Sequence, residues 1–275
     1  MEKRIERVEP VGQRNSRRAE HANRMIVAAE NFAAISPFIV LVEDWFRAPA
    51  GIPTHPHRGI QTVTFVLDGA LEHRDHTGGH GVLRQGDVQW MTAGRGVLHS
   101  ELPYRDEPAH TLQLWLNLPA RDKMIRARYV NQHAADVPSV GVPGGEVRVY
   151  AGKFAAVTQP AGSDWPMTLL DIRGETGARL ALDVPARDRG FLHPLSGRAA
   201  VGGAAVSAGT VAWFEPSSGD GVDTLTIAVE EPFRALLYSS APIDEPVIAY
   251  GPFVMTSEAE IHQAYEDYRS GRFVA

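Results

Sequence analysis

The chain has 275 residues, of which 44% are hydrophobic and none is cysteine, and its formal net charge is −6 with the histidines neutral. Without cysteine, a disulfide scaffold and a thiolate metal site are both excluded. The negative charge disfavours binding to nucleic-acid phosphates. No stretch approaches the roughly 20 apolar residues of a membrane span, and the N-terminus lacks the apolar core of a secretory signal. We therefore predict a soluble, cytoplasmic protein with neither a nucleic-acid nor a membrane partner.

Short segments rich in Val, Leu, Thr, Phe and Trp alternate with Gly or Pro along most of the chain. This rhythm predicts an all-β fold of antiparallel strands. Because Asp68-Gly69 favours positive φ angles, we expect a tight hairpin there, with the next strand returning beside the preceding one. Strands are expected at 37–42, 61–67, 71–74, 88–91, 110–117, 147–150, 169–172, 191–195, 211–214, 225–229 and 235–238.

One C-terminal segment breaks the strand rhythm. Ser257 is followed three residues later by Glu260, which is the pattern of a capping box and predicts a helix start. Apolar side chains then recur at spacings of three and four, and Gly271 supplies a stop. We predict a short C-terminal helix here and a weaker helical stretch at 120–124.

The two halves of the chain resemble each other weakly. Residues 65–69 precede a Gly-Asp-Val-Gln-Trp run at 86–90, and residues 193–197 precede a Gly-Thr-Val-Ala-Trp run at 209–213. Duplication of one small β-barrel accounts for this similarity. We predict an N-terminal barrel at 1–135 and a C-terminal barrel, ending in the helix, at 146–275, with the boundary in the Pro- and Gly-rich stretch between them.

Two short motifs carry candidate metal ligands, His55-Pro56-His57 and His99-Ser100-Glu101. Alternate residues of a strand share a face, so each motif can direct both of its polar side chains into one barrel. Three imidazoles and one carboxylate suit Fe, Mn, Ni, Co or Cu, and four protein ligands leave two positions of an octahedral ion open. A single His-x-His also arises by chance, but the second motif strengthens the metal hypothesis.

Other polar residues are open to two interpretations. His73, His76 and His80 lie in a Gly-rich stretch that gives them no common face, so we expect solvent-exposed loop residues. Gln61 and Gln113 lie on neighbouring predicted strands. They are predicted to bind substrate or metal ligands, and a purely structural role inside the barrel is equally compatible with the sequence.

Six longer motifs lie at 54–64, 73–75, 86–96, 99–101, 113–119 and 245–255. They resemble the pirin family of the cupin superfamily, and the likeness covers nearly the whole chain. The resemblance implies two tandem cupin (jelly-roll) β-barrels. It also implies one metal in the first barrel, iron(II) foremost and Ni, Mn, Co, Cu or Zn as alternatives, held by His55, His57, His99 and Glu101. In the second barrel the corresponding positions are Asp183, Val222 and Thr224, so a metal site is not expected there.

Family likeness also implies an activity, the ring opening of quercetin with O₂. We predict a flavonol dioxygenase in which Glu101 removes the substrate hydroxyl proton. The alternative is an iron-binding, redox-sensitive regulatory protein that acts through a protein partner. A third possibility is small-molecule chemistry without oxygen. The resemblance favours a monomer.

Overall fold

The computed structural model describes residues 1–28, 31–160, 162–215, 217 and 219–274, with only the backbone of residues 17 and 18. The predicted all-β class is confirmed. None of the helices in these residues is long and apolar enough to cross a membrane. The strands and helices, in chain order, are β1 (Ile5–Pro10), β2 (Asn15–Arg18), β3 (His21–Val27), α1 (Phe32–Ile35), β4 (Phe38–Phe46), β5 (Ile52–His57), β6 (Ile60–Asp75), β7 (His80–Arg84), β8 (Val88–Thr92), β9 (Val97–Pro103), β10 (Ala109–Asn117), β11 (Arg128–Gln132), β12 (Ser139–Val142), β13 (Gly145–Phe154), β14 (Val157–Gln159), β15 (Met167–Gly174), β16 (Arg179–Pro185), β17 (Arg189–Val201), β18 (Ala204–Ser207), β19 (Thr210–Phe214), β20 (Val222–Ser240), β21 (Ile248–Tyr250), β22 (Phe253–Met255) and α2 (Glu258–Arg269).

Two compact units divide the chain. The first unit contains Gly12–Asp136, Gly162–Asp164 and Ile243–Ala275, and the second contains Met1–Val11, Val137–Ala161 and Trp165–Pro242. The predicted domains are contiguous in sequence. In the structure, the N-terminal residues 1–11 belong to the second unit and the C-terminal residues 243–275 belong to the first. The reason is pairing and packing, because β1 pairs with β19 in the second unit and α2 packs on β22 in the first.

The first unit is built from two sheets that share β6. The larger sheet has the order β11-β8-β6-β10-β4-β3-β2, and the other contains β5, β9, β7 and the C-terminal part of β6. Before Gly69, β6 pairs with β8 and β10, and after it with β7 and β9. One strand therefore belongs to both walls of this barrel.

The predicted hairpin at Asp68-Gly69 is wrong. Gly69 has φ +73°, and the register with β10 shifts between Asp68 and Val66, so these residues form a bulge within one bent strand. A bulge lets a strand turn from one sheet into the next. The second unit has a similar bulge at Gly197 of β17, where φ is +75° and the register with β20 also shifts.

The second unit has the strand order β1-β19-β17-β20-β15-β13-β12 around an apolar core. Residues 225–229 and 235–238, predicted as two strands, form the single strand β20. Asp183 of β16 lies opposite Thr224 and is exposed, while its neighbours Leu182 and Val184 are buried in the core. Apolar side chains thus occupy the inward positions of this strand.

The short C-terminal helix predicted from the capping box is confirmed. Ser257 caps α2, its side chain accepts a hydrogen bond from the Glu260 backbone, and Glu260 completes the capping box. Ile261 and Ala264 are the buried residues of the helix, and they pack with Phe253 and Met255. The helix predicted at 120–124 is only a 3₁₀ turn over Ala120–Asp122.

Candidate metal centre

Pairing of β5 with β9 brings the two histidine motifs together. His55 lies directly opposite His99, and Ile52 lies opposite Glu101. His57 and His99 are buried, whereas His55 is half-buried. Donor atoms of the three imidazoles all lie within 4.8 Å of one another. Strand alternation is therefore the local cause of the cluster, since each motif places its two polar side chains two residues apart.

The hydrogen bonds of His55 and His57 determine which ring nitrogens are free. The Nδ1 atom of His55 lies 2.9 Å from the Pro53 carbonyl oxygen, and Nδ1 of His57 lies 3.3 Å from that of Pro252. A carbonyl only accepts, so each Nδ1 carries the proton and each Nε2 presents a lone pair. The two Nε2 atoms are 2.9 Å apart. Two lone pairs at this distance repel unless a cation lies between them.

The third imidazole of the cluster is that of His99. Both ring nitrogens of His99 are buried without a hydrogen-bond partner among the described residues. Burial and the neighbouring histidines lower the pKa of His57 to about 3 and that of His99 well below its usual value. The rings of His57 and His99 are therefore neutral at pH 7, which is the state that binds metals. This donor set fits a divalent transition metal.

Glu101 lies on the same strand as His99 and is 2% exposed. Its two carboxylate oxygens accept hydrogen bonds from Gln113 Nε2 at 2.9 and 2.7 Å, and Thr64 donates to one of them at 3.2 Å. Trp115 Nε1 donates to Gln113 Oε1 at 3.2 Å and so orients the amide. The acid is thus held in place by a chain of side chains from β6 and β10.

The structure corrects the prediction for His73. This residue lies on β6 opposite Glu101 and is fully buried, and its Nδ1 atom has no hydrogen-bond partner among the described residues. His73, His99 and Glu101 form a second group of potential ligands that shares His99 with the first. His76 and His80 are exposed, as predicted. If the strand predicted at 61–67 were extended past Gly69, strand alternation would place His73 on the same face as Leu71, which is buried.

Gln61 and Gln113 lie on opposite faces of the sheet. Gln113 pairs with Thr64 and faces Glu101. Gln61, an odd number of residues from Thr64, donates to Thr92 Oγ1 at 3.1 Å and to the Gly162 carbonyl at 3.0 Å. The Gln61 amide is therefore engaged on the face of the sheet away from the histidines.

Family models match both halves of the chain. The model described as Pirin matches residues 16–116, and the Pirin C-terminal cupin domain matches residues 169–274. The two cupin domains expected from the sequence are thereby confirmed.

Individual relatives align over most of their lengths. Pirin-1 of Arabidopsis thaliana is 40% identical over 242 residues, which cover 86% of this chain and 83% of the relative. A Pseudomonas aeruginosa protein named "Putative quercetin 2,3-dioxygenase" is 40% identical over 258 residues, 87% of each chain. The crystal structure of a quercetin 2,3-dioxygenase from Acinetobacter baumannii has a TM-score of 0.90 and 30% identity, with both chains fully covered. On this evidence, the chain belongs to the pirin family.

Proposed function

We propose that this protein is a metal-dependent dioxygenase that opens the central ring of flavonols such as quercetin with O₂. In this proposal His55, His57, His99 and Glu101 hold one divalent transition metal, iron(II) being the metal we predict. The observation that carries the proposal is the convergence of three imidazoles whose donor atoms lie within 4.8 Å of one another, with Glu101 beside His99. The names of the Pseudomonas and Acinetobacter relatives support the substrate class.

Chemistry is divided between the metal and the protein. When bound, the metal would supply Lewis acidity toward the flavonol oxygens and a path for electrons to O₂. Glu101 is assigned as the base that takes the flavonol hydroxyl proton. The surrounding strands keep water away, since His57, His99 and Glu101 are each no more than 2% exposed.

Gln113 and Trp115 are assigned as positioning residues for Glu101. Gln113 Nε2 lies within 2.9 Å of both carboxylate oxygens, and its own oxygen accepts from Trp115 Nε1. With that oxygen engaged, the amide cannot rotate without losing a partly buried hydrogen bond. The carboxylate is therefore presented in one orientation.

Trp115→Phe is expected to lower kcat about tenfold while KM and metal content stay within twofold. The phenyl ring retains packing beside His57 but cannot donate to Gln113, so the amide loses the bond that fixes it. Steady-state kinetics with elemental analysis of the same preparation measures both quantities. A fall in metal content that matches the fall in kcat would contradict a positioning role.

The proposed activity is tested by loading purified protein with Fe, Ni, Mn or Co and incubating it with quercetin. Loss of flavonol absorbance with equimolar O₂ uptake is expected, and both should disappear in His57→Ala and Glu101→Gln. Absorbance loss without O₂ uptake would contradict dioxygenase chemistry. No turnover with any of these metals would overturn the enzyme proposal in favour of the regulatory alternative.

A further inference from the structure

A cavity of about 830 Å³ opens on the first unit. One part of its lining comes from β2 and β3 and is polar, with Asn15, Ser16, His21 and Asn23. The rest comes from the segment leading into β5, with Leu102 of β9, and is mainly apolar. A ligand with an apolar body and several hydroxyl groups matches such walls.

Two lining residues of the cavity are neighbours of candidate metal ligands. Pro53 lines it, and the carbonyl oxygen of Pro53 accepts the hydrogen bond from His55 Nδ1. Leu102 lines it as well and directly follows Glu101 in β9. The cavity therefore lies next to the two strands that carry the candidate metal ligands.

His21 and Asp44 form a hydrogen-bonded pair at the polar wall. His21 Nε2 lies 2.8 Å from Asp44 Oδ1, and the His21 ring lies 4.7 Å from that of Phe46. Asp44 is 6% exposed, whereas the His21 side chain is 28% exposed and lines the cavity. Burial raises the pKa of Asp44, and the hydrogen bond from His21 opposes that shift.

The hydrogen bond to Asp44 determines which nitrogen of the His21 ring can accept a hydrogen bond. An Asp44 carboxylate only accepts, so Nε2 of His21 carries a proton, and in the neutral imidazole Nδ1 then presents a lone pair. None of the described residues donates to that Nδ1 atom. A buried carboxylate that orients an imidazole in this way leaves one ring nitrogen as a directed hydrogen-bond acceptor.

We infer that His21, oriented by Asp44, determines substrate specificity by accepting a hydrogen bond from a ring hydroxyl of a polyhydroxylated planar aromatic bound in this cavity. The hydroxyl is one other than the group that reacts. This inference rests on the proposed function, because the flavonol class supplies the planar aromatic. It assigns a residue outside the metal ligands to the recognition of the substrate.

The test compares two flavonols, quercetin and 3-hydroxyflavone, which lacks the additional ring hydroxyls. Binding to metal-loaded protein is followed without O₂ by quenching of tryptophan fluorescence, so turnover does not enter the measurement. His21→Ala is expected to raise the Kd of quercetin about fivefold to tenfold, the range of one hydrogen bond, and to leave that of 3-hydroxyflavone within twofold. Asp44→Ala should give the same pattern. Asp44→Asn should restore quercetin binding, because the amide oxygen can still accept from Nε2.

The matched control is His80→Ala, which removes an exposed histidine bonded to Glu72. It should leave both dissociation constants unchanged. Equal weakening of both flavonols in His21→Ala would identify a packing role and overturn the inference, as would unchanged binding of quercetin. If the difference between the flavonols is present but no metal supports turnover, the dioxygenase proposal fails while the assignment of His21 stands.

Discussion

Replacing His57 by alanine is expected to lower the affinity for a divalent metal about 100-fold or more. His57 is a buried imidazole whose Nδ1 is bonded to a carbonyl and whose Nε2 lies 2.9 Å from that of His55. Removal of a positioned ligand costs at least as much affinity as removal of a residue that only orients one, for which 10- to 100-fold is typical, so about 100-fold is a lower estimate. Titration calorimetry with Ni or Fe and elemental analysis after gel filtration provide the measurements.

The control for this experiment is again His80→Ala, because His80 is an exposed histidine of the same unit. It should bind metal as the unmodified protein does. Circular dichroism of both variants checks that the barrel remains folded. Retention of metal by His57→Ala at the level of His80→Ala would exclude His57 from the ligand set.

The second large effect concerns folding. Gly69→Ala is expected to destabilise the first unit by about 3–5 kcal/mol, because an added Cβ would lie 1.7 Å from the Pro108 carbonyl oxygen and φ is +73°. The bulge must therefore shift. The part of β6 that follows it, which carries His73 and pairs with β7 and β9, must shift with it. Denaturant unfolding followed by tryptophan fluorescence measures the loss, fitted with separate transitions if the two units unfold independently.

Gly78→Ala separates the two causes of that loss. Gly78 also has a positive φ, +85°, but nothing lies within 4 Å of an added Cβ. Gly78→Ala is therefore expected to lower the free energy of unfolding only by the cost of the left-handed backbone conformation, about 1–2 kcal/mol. Equal destabilisation by the two substitutions would show that the close approach to Pro108 contributes nothing.

Several features of this protein were predictable from the sequence because they depend on neighbours along the chain. The capping box fixes the start of α2, since Ser257 and Glu260 are three residues apart and satisfy each other's backbone groups. Strand alternation likewise places His55 with His57, and His99 with Glu101, on one face of each strand. The long motifs around these residues also identified the family.

Contacts between distant segments required the tertiary structure. Whether Asp68-Gly69 closes a hairpin or bends one strand depends on the start of β10, because the backbone of Ala109 and of the preceding Pro108 lies against Gly69. His73 is buried only because β6 continues past this bend and pairs with β9. The assignment of each chain terminus to its unit and the hydrogen bond between His21 and Asp44 also depend on contacts between segments far apart in sequence.

The sequence by itself therefore determined the all-β class, the family and the two histidine motifs, because strand periodicity and capping are local and act within a few residues. Only the tertiary structure decided which strands lie side by side, and hence that His73 adjoins Glu101 and that His21 lines a cavity beside the cluster. The physical reason is that backbone hydrogen bonding is the same for every pair of strands. Partner choice is decided by packing among residues far apart in sequence.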